Sequence, residues 1–300
     1  THETSHFAEH GGSISKNIKK EKGKGELAIL ARSVEKMGIE MKLYIDKLTH
    51  ATAEKERLGA ELNVASQIQA NMLPRIFPPY VDHPEIELFA TMDPAKEVGG
   101  DFYDFFMVDK ENFAVIVGDV SGKGVPAALF MVVAKTLLKN VGLQNLSPAQ
   151  VFERVNNQLC EGNDAGLFVT CWMGLLNLNT GILTFANAGH NPPLIFKQRT
   201  AEYLKVKPNL MLAGMPDMKY TDHQVHIEKG DRVFVYTDGV TEATNASQEL
   251  YGEERLLHAV TKLKDYSSKD LLENIRKDID AFVGAAPQFD DMTMLEFMLK

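Results

Sequence analysis

Cysteine is scarce in this 300-residue sequence: there are two, Cys160 and Cys171, with no CxxC pair and no Cys/His cluster. This scarcity argues against a disulfide framework and a zinc site, so we expect two buried free thiols in a cytoplasmic chain. Also missing is any run near the ~18 consecutive apolar residues of a membrane span. Nothing resembles a signal peptide either, so we expect no membrane contact by this chain.

Basic residues are in the minority, with 32 Lys and Arg against 41 Asp and Glu and a formal net charge of −9. A nucleic-acid-binding protein needs a basic face to neutralise phosphates, so nucleic acid is not an expected partner. The hydrophobic fraction of 44% and the charged fraction of 24% are ordinary for a folded protein of one large or two smaller domains.

The first quarter of the chain has two parts. Residues 1–25 are polar and rich in Gly and Lys, which predicts a flexible lead-in. Residues 26–73 carry a heptad repeat whose a and d positions are apolar except at Lys55 and Gln69, which predicts a coiled-coil helix ending before Pro74. The apolar a and d residues, called the seam below, are Leu27, Leu30, Val34, Met37, Met41, Tyr44, Leu48, Ala51, Leu58, Leu62, Ala65 and Met72.

Two arrangements of this helix are open. It could be a single amphipathic helix lying on the downstream domain, but ~46 residues would span ~70 Å, which is longer than a domain is wide. A parallel homodimer through 26–73 is therefore the favoured expectation.

From about residue 82 onward short β-like runs dominate. They are EIELFATM, NFAVIVGD, LFVTCWMGLLNL, ILTFANAG, PPLIF, QVHIE, DRVFVYTD and MTMLEFML. Helical stretches are expected at about 125–140, 148–161 and 253–283. The turns LNTG at 178–181 and EKGD at 228–231 predict hairpins, and hence an α+β fold with antiparallel sheets.

Four short acidic motifs accompany these runs: VGGDFYD at 98–104, VGDVSGKG at 117–124, VYTDGVTE at 235–242 and FDDMT at 289–293. Each is interpreted as an aspartate placed where a strand stops. Burying several carboxylates together is costly unless a positive charge compensates them, so a pair of divalent ions is expected where they converge. Ligation by oxygen alone suits Mg²⁺ or Mn²⁺ rather than zinc or copper.

Two nucleotide-binding motifs are excluded by spacing. A Walker A loop has four residues between its first Gly and the GK pair, whereas three separate Gly118 from Gly122, and Gly124 stands where the motif has Ser or Thr. VGGDFYD also differs from the GGDEF signature of diguanylate cyclases, because Phe102 follows the aspartate.

Five ordered motifs, GGDFYD, DVSGKGVPAALFM, NAGHNPPL, YTDGVTEA and DDMT, resemble the SpoIIE/RsbU family of bacterial serine phosphatases, within the metal-dependent protein phosphatase (PPM) superfamily. The resemblance implies an αββα sandwich over residues 74–300. It also implies a protein serine/threonine phosphatase that hydrolyses phosphoserine with a water held between two Mn²⁺ or Mg²⁺ ions.

The same resemblance assigns site residues. Asp119 would bridge the two ions and the Val120 backbone carbonyl would complete the shell of the second. Asp238 and Asp290 would bind the first ion, and Asp101 would face the site directly or through water, which makes Asp101, Asp119 and Asp238 the expected catalytic set. Asp104, Asp291 and Lys123 are expected to support the ligands from outside, and the choice of Asp290 over Asp291 rests on register alone.

Two residues keep two interpretations each. His190 could act as a general acid, although a histidine between Gly and Asn-Pro-Pro more simply fixes a turn. Lys123 could contact the phosphate, although a solvated turn lysine is the simpler interpretation.

The resemblance also suggests partners. The expected substrate is a phosphorylated STAS-type anti-sigma-factor antagonist, as in partner switching. Residues 25–41 resemble the second helix of a HAMP signalling module, so an upstream sensor and a place in the cytoplasmic part of a membrane-bound receptor are further expectations. The rival functions are a catalytically inactive scaffold and a nucleotidyl cyclase.

Overall fold

The computed structural model describes residues 26–78, 83–197, 200–263 and 266–300. These residues form two compact units, which divide between Val64 and Ala65. The lead-in predicted for residues 1–25 lies outside the described residues.

One helix, α1, runs from Glu26 to Met72 and ends just before Pro74, as the sequence predicts. Within the first unit, several of its apolar seam side chains are exposed: Leu30, Met37, Met41, Tyr44, Leu48 and Leu58. Pairing of this helix with a second copy stays a prediction.

The second unit contains ten strands and five further helices among the described residues. The strands are β1 (Ile86–Asp93), β2 (Phe102–Met107), β3 (Asn112–Val120), β4 (Val169–Asn177), β5 (Ile182–Ala188), β6 (Leu194–Lys197), β7 (Thr200–Tyr203), β8 (His223–His226), β9 (Arg232–Tyr236) and β10 (Met292–Leu299). The helices are α2 (Val125–Gly142), α3 (Pro148–Cys160), α4 (Asp238–Thr241), α5 (Gly252–Lys262) and α6 (Ser268–Val283).

The strands form two five-stranded sheets. Sheet A has the order β1-β10-β9-β6-β7, and sheet B has the order β2-β3-β4-β5-β8. Every pairing between two of these strands is antiparallel. Helices α2 and α3 pack on sheet B, while α5 and α6 pack on sheet A. The α+β architecture of two antiparallel sheets flanked by helices is therefore confirmed.

Strand alternation explains how each sheet is covered on both faces. In β9, Val233 and Val235 join the core between the sheets, whereas Phe234 and Tyr236 join the second core under α5 and α6. Successive side chains of a strand point to opposite faces, so a continuous apolar run such as this one buries both.

Helix α2 is the most apolar helix of the sandwich. Within the described ranges it is the one helix that could span a membrane by length and composition, and 44% of it is buried inside the protein. Its buried side chains, such as Met131 and Leu138, belong to the core between α2 and sheet B. Gly124, with φ of 77°, precedes the helix in a conformation that favours glycine.

Four details differ from the sequence predictions. The turn at 178–181 joins a hairpin of β4 and β5, but the turn at 228–231 joins β8 in sheet B to β9 in sheet A. Local turn chemistry makes the chain reverse but does not specify which sheet the next strand enters. The helical region 253–283 is two helices, and the strands β2 and β7 were missed. Of the two free cysteines, Cys171 is buried but Cys160 is partly exposed.

Candidate metal centre

The four acidic motifs meet at one edge of the sandwich because neighbouring strands run in opposite directions. Asp119 lies near the end of β3, whereas Asp101 directly precedes β2, and Phe102 pairs with Gly118 across the two strands. In sheet A, Asp238 follows the end of β9 and the pair Asp290–Asp291 directly precedes β10. The interpretation that every motif ends a strand is therefore wrong for two of the four, although all four are at strand ends.

Burial and mutual repulsion raise the pKa values of the carboxylates in this cluster. Burial, and then the charges of Asp238 and Asp290, raise the pKa of Asp119 to about 7. Burial, followed by the charges of Glu242 and Asp290, raises the pKa of Asp238 to about 6. Burial and the nearby Asp119 carboxylate also raise the pKa of Asp101 well above its usual range. The site therefore stabilises positive charge placed among these oxygens.

Thr237 orients Asp101. Its hydroxyl donates a hydrogen bond of 2.7 Å to Asp101 Oδ2 and accepts one of 2.9 Å from the backbone N–H of Thr293. All three residues are buried, so this chain of hydrogen bonds fixes a carboxylate of sheet B to the ends of β9 and β10 in sheet A.

Lys123 reaches across the edge of the site to the last motif. Its ammonium lies 2.9 Å from Asp290 Oδ2, donates to the Phe289 carbonyl at 2.6 Å and sits 3.8 Å from the centre of the Phe289 ring. Lys123 is exposed, as expected of a turn lysine, and it also forms an ion pair with Asp290. Its contact with a phosphate stays a prediction. The glycines on each side, Gly122 and Gly124, both have positive φ and give the turn its shape.

Asp290 and Asp291 have different environments. Both carboxylate oxygens of Asp291 accept backbone hydrogen bonds of 2.7 Å, one from Ala95 and one from Gly100. Asp290 is partly exposed and has Oδ2 on Lys123. Asp291 thus braces the loop that carries Asp101 with both oxygens, whereas Asp290 accepts the Asp291 N–H at 3.0 Å with Oδ1 and pairs with Lys123 through Oδ2. This difference agrees with the expected choice of Asp290, whose role as a ligand stays a prediction.

Two glycines of the motifs leave room for close approach. A Cβ on Gly239 would collide with the Asp291 carbonyl, and a Cβ on Gly100 would come within 2.8 Å of the Val120 carbonyl oxygen. Larger residues would push apart the segments that carry the acidic side chains. The Val120 carbonyl therefore lies at the same edge as the aspartates.

Asp104 is directed away from the cluster. It is fully buried, forms an ion pair of 2.6 Å with Lys135 of α2 and has Lys139 at 3.6 Å. This contact joins β2 to α2, so Asp104 is separate from the residues whose charges perturb Asp101 and Asp119.

Three residues that shape the acidic cluster were not predicted from the sequence: Thr237, Glu242 and Gln69. Thr237 directly precedes Asp238, and Glu242 follows it by one helical turn, so both lie within the motif that was recognised. Gln69 lies at the end of α1, and its side-chain amide donates to the Gly99 carbonyl at 2.6 Å and accepts from the Gly99 N–H at 3.1 Å. In the sequence Gln69 is a polar residue at an a position of the apolar seam, and this polarity is the one sign that it has a specific partner.

The donor chemistry suits hard divalent ions. The carboxylate and carbonyl oxygens are the ligands that Mg²⁺ and Mn²⁺ prefer. Burial and then repulsion from neighbouring carboxylates raise the pKa values of Asp119 and Asp238, and bound cations would offset both effects. Across the described ranges, no three His, Cys, Asp or Glu side chains already stand close enough together to enclose an ion. The fit is therefore one of donor type and placement rather than of a ready-formed cage.

Two curated relatives resemble the chain in sequence. Protein IcfG of Synechocystis sp. is 29% identical over 93% of this chain and 47% of its own length. Phosphoserine phosphatase RsbU of Bacillus subtilis is 30% identical over 63% of this chain and 55% of its own length. The chain thus spans about half the length of the curated relatives it matches.

Solved structures share the fold. The SiaA-PP2C domain of Pseudomonas aeruginosa superposes with a TM-score of 0.74 at 21% identity, covering 83% of this chain and 99% of that domain. The phosphatase domain of SpoIIE from Bacillus subtilis, with a fragment of its regulatory domain, gives 0.64 at 15% identity, covering 72% and 62%. The family model described as Stage II sporulation protein E (SpoIIE) matches residues 109–300, which include three of the four acidic motifs. The chain belongs to the SpoIIE family and has the PP2C-type fold.

Proposed function

We propose that this chain is a metal-dependent protein serine/threonine phosphatase that hydrolyses phosphoserine. The observation that carries the proposal is the carboxylate cluster. Burial and nearby carboxylates, Asp290 among them for both residues, raise the pKa of Asp119 to about 7 and the pKa of Asp238 to about 6. Membership of the SpoIIE family and similarity to a protein named a phosphoserine phosphatase support it.

Two Mn²⁺ or Mg²⁺ ions would be held by Asp119 with the Val120 carbonyl, and by Asp238, Asp290 and Asp101. When bound, such ions supply an activated water and neutralise charge on the phosphoryl oxygens. The chain's own residues set the geometry: Thr237 fixes the direction of Asp101, and Asp291 holds the loop that precedes it. Lys123 places a positive charge beside Asp290, at the rim where a phosphate would enter.

A protein nucleophile is not required by this arrangement. Burial raises the pKa of the Cys171 thiol far above neutrality, and the pKa of Cys160 is raised as well. Neither cysteine is therefore a thiolate at neutral pH, which is the form that a cysteine phosphatase uses.

The test compares Asp119→Asn and Asp238→Asn with the unchanged chain in Mn²⁺-dependent hydrolysis of p-nitrophenyl phosphate and of a phosphoserine peptide. Both substitutions should abolish activity, while Asp109→Asn, in the exposed turn at the far end of β2, should leave it unchanged. Near wild-type turnover in either site variant would refute the assignment. GTP turnover in the same preparations would instead favour a cyclase, and inactivity of the unchanged chain would favour a scaffold.

The substrate we propose is a phosphorylated STAS-type protein, by analogy with the family. A metal-site variant such as Asp238→Asn should retain the phosphorylated partner in a pull-down, because binding does not require turnover. The same partner without its phosphate should be retained less.

We also propose regulation through a parallel dimer of α1. The exposed seam side chains, including Leu48 at 50% exposure, would be covered by a second copy. The contact of Gln69 with Gly99, two residues before Asp101, gives the end of this helix a direct mechanical connection to the site. Leu48→Asp should convert a dimer to a monomer in light scattering and should change the Mn²⁺-dependent rate. A chain that is monomeric without the substitution would contradict the dimer.

A further inference from the structure

The NAGHN motif forms a turn that holds His190 rigidly. The turn follows β5, and the Asn187 side chain bonds both backbone groups of His190: its Oδ1 accepts from the N–H at 2.8 Å and its Nδ2 donates to the carbonyl at 2.9 Å. Gly189 between them has φ of 72°, a conformation that other residues rarely adopt. The motif therefore fixes the backbone from which the imidazole projects.

The imidazole lies between the two strand ends that carry site aspartates. Nδ1 shares a hydrogen bond of 3.1 Å with the Thr170 hydroxyl, and Thr170 pairs directly with Asp119 across β4 and β3. The ring also lies beside the backbone of Tyr236, two residues before Asp238 in sheet A, although Nε2 has no hydrogen bond of good geometry. The side chain of His190 thus lies between the Asp119 end of sheet B, to which it is hydrogen-bonded through Thr170, and the Asp238 end of sheet A.

The environment argues against a general acid at this position. His190 is 5% exposed, and burial, which disfavours the charged imidazolium, lowers its pKa to about 4. At neutral pH the ring is uncharged and closed off from a leaving group, whereas a general acid must carry a proton and reach the substrate.

We propose that His190 is a positioning residue that sets the separation between Asp119 and Asp238. The proposal rests on the proposed function, since it takes these two aspartates to bind the ions. His190 forms no hydrogen bond with either aspartate. It is hydrogen-bonded to Thr170, the strand partner of Asp119, and lies beside β9, the strand that leads into Asp238. Residues that orient metal ligands in this way typically change metal affinity by 10–100-fold when removed.

The test measures Mn²⁺ affinity by calorimetry, and the melting temperature without metal, in the full chain. His190→Ala should weaken Mn²⁺ binding by roughly 10–100-fold. His190→Asn, whose amide can replace Nδ1 toward Thr170, should retain most of the affinity. Thr170→Val should weaken binding, and adding it to His190→Ala should cost no more than His190→Ala alone, because the two substitutions remove one interaction.

Leu183→Ala is the matched control, because it opens a cavity in the buried part of β5 away from the site. It should lower the melting temperature and leave Mn²⁺ affinity unchanged. Wild-type Mn²⁺ affinity in His190→Ala would overturn the proposal, as would an affinity loss in Leu183→Ala equal to that in His190→Ala at the same melting temperature. Wild-type affinity in Asp119→Asn and Asp238→Asn would overturn the metal site itself, and the proposal with it.

Discussion

Gln69 holds Gly99 by both ends of its side-chain amide, with Nε2 2.6 Å from the Gly99 carbonyl and Oε1 3.1 Å from its N–H. The pair is buried and joins the end of α1 to the loop that places Asp101. A polar residue in an otherwise apolar seam therefore has a specific partner 30 residues away.

Replacing Gln69 with Ala should destabilise this loop. The substitution leaves two buried backbone groups without partners, at a cost of about 1–3 kcal/mol. Urea denaturation should register that loss, and Mn²⁺ affinity should fall because Asp101 is less well placed. Gln144→Ala, two residues after α2, removes an exposed amide that bonds the Asn140 carbonyl and the Arg154 side chain, and it should change neither quantity appreciably. Equal behaviour of the two variants would show that the contact has no role.

Asn substitutions at Asp290 and Asp291 should separate an effect on Mn²⁺ binding from an effect on the free energy of unfolding. Asp291→Asn replaces a carboxylate oxygen that accepts a backbone N–H, so unfolding free energy should fall by about 1–3 kcal/mol. Asp290→Asn breaks a partly exposed ion pair with Lys123, which is typically worth about 0–1 kcal/mol, but it should remove most Mn²⁺ binding. Thermal melts in EDTA and Mn²⁺ titrations distinguish the two. The reverse pattern would assign the ligand to Asp291.

Lys135→Met should be strongly destabilising. It leaves the buried Asp104 carboxylate without its 2.6 Å partner, and breaking one side of a buried pair costs about 3–5 kcal/mol. Lys139→Met is the matched control on the same helix, because Lys139 is 3.6 Å from Asp104 and its side chain is 42% exposed. In urea denaturation, Lys139→Met should lower the free energy of unfolding much less than Lys135→Met. Comparable losses for the two lysines would show that Asp104 is not dependent on Lys135.

His190 should make stability sensitive to acid. Its pKa is about 4 in the folded protein and 6.5 in the unfolded chain, so between these values the unfolded state binds the extra proton. The contribution is complete above pH 6.5 and is lost as pH falls to 4, with a limit of about 3 kcal/mol. The stability difference between the wild type and His190→Asn should therefore shrink or reverse over this range. A difference independent of pH would contradict the buried neutral imidazole.

Much of the fold was accessible from local patterns. Helix α1, the strand runs and the α+β class follow from periodicity and turn residues, which are properties of short segments. Strand β2 was missed because FYDFFM is a short apolar run continuous with the GGD motif, and β7 because TAEY is short and mostly polar. The turn at 228–231 was recognised, but its transfer of the chain from sheet B to sheet A depends on packing that no local residue specifies.

The site residues likewise divide into those that local motifs predict and those that only the folded structure shows. Asp101, Asp119, Asp238 and Asp290 were identified because each lies in a recognisable motif, and the structure brings them to one edge. The contact of Lys123 with Asp290 spans 167 residues and the contact of Gln69 with Gly99 joins different elements. Such partners are set by tertiary packing, so neither spacing nor composition could reveal them.

The central claim is that the carboxylate cluster binds a pair of divalent ions. It is tested most directly by counting the Mn²⁺ ions bound per chain at equilibrium, by calorimetry and by elemental analysis after dialysis, in the wild type and in Asp119→Asn. We predict two ions per chain for the wild type and loss of this binding in Asp119→Asn, because Asp119 is the residue that we propose contributes to both sites. A wild-type chain that binds no Mn²⁺, or an Asp119→Asn chain that still binds two ions, would contradict the claim.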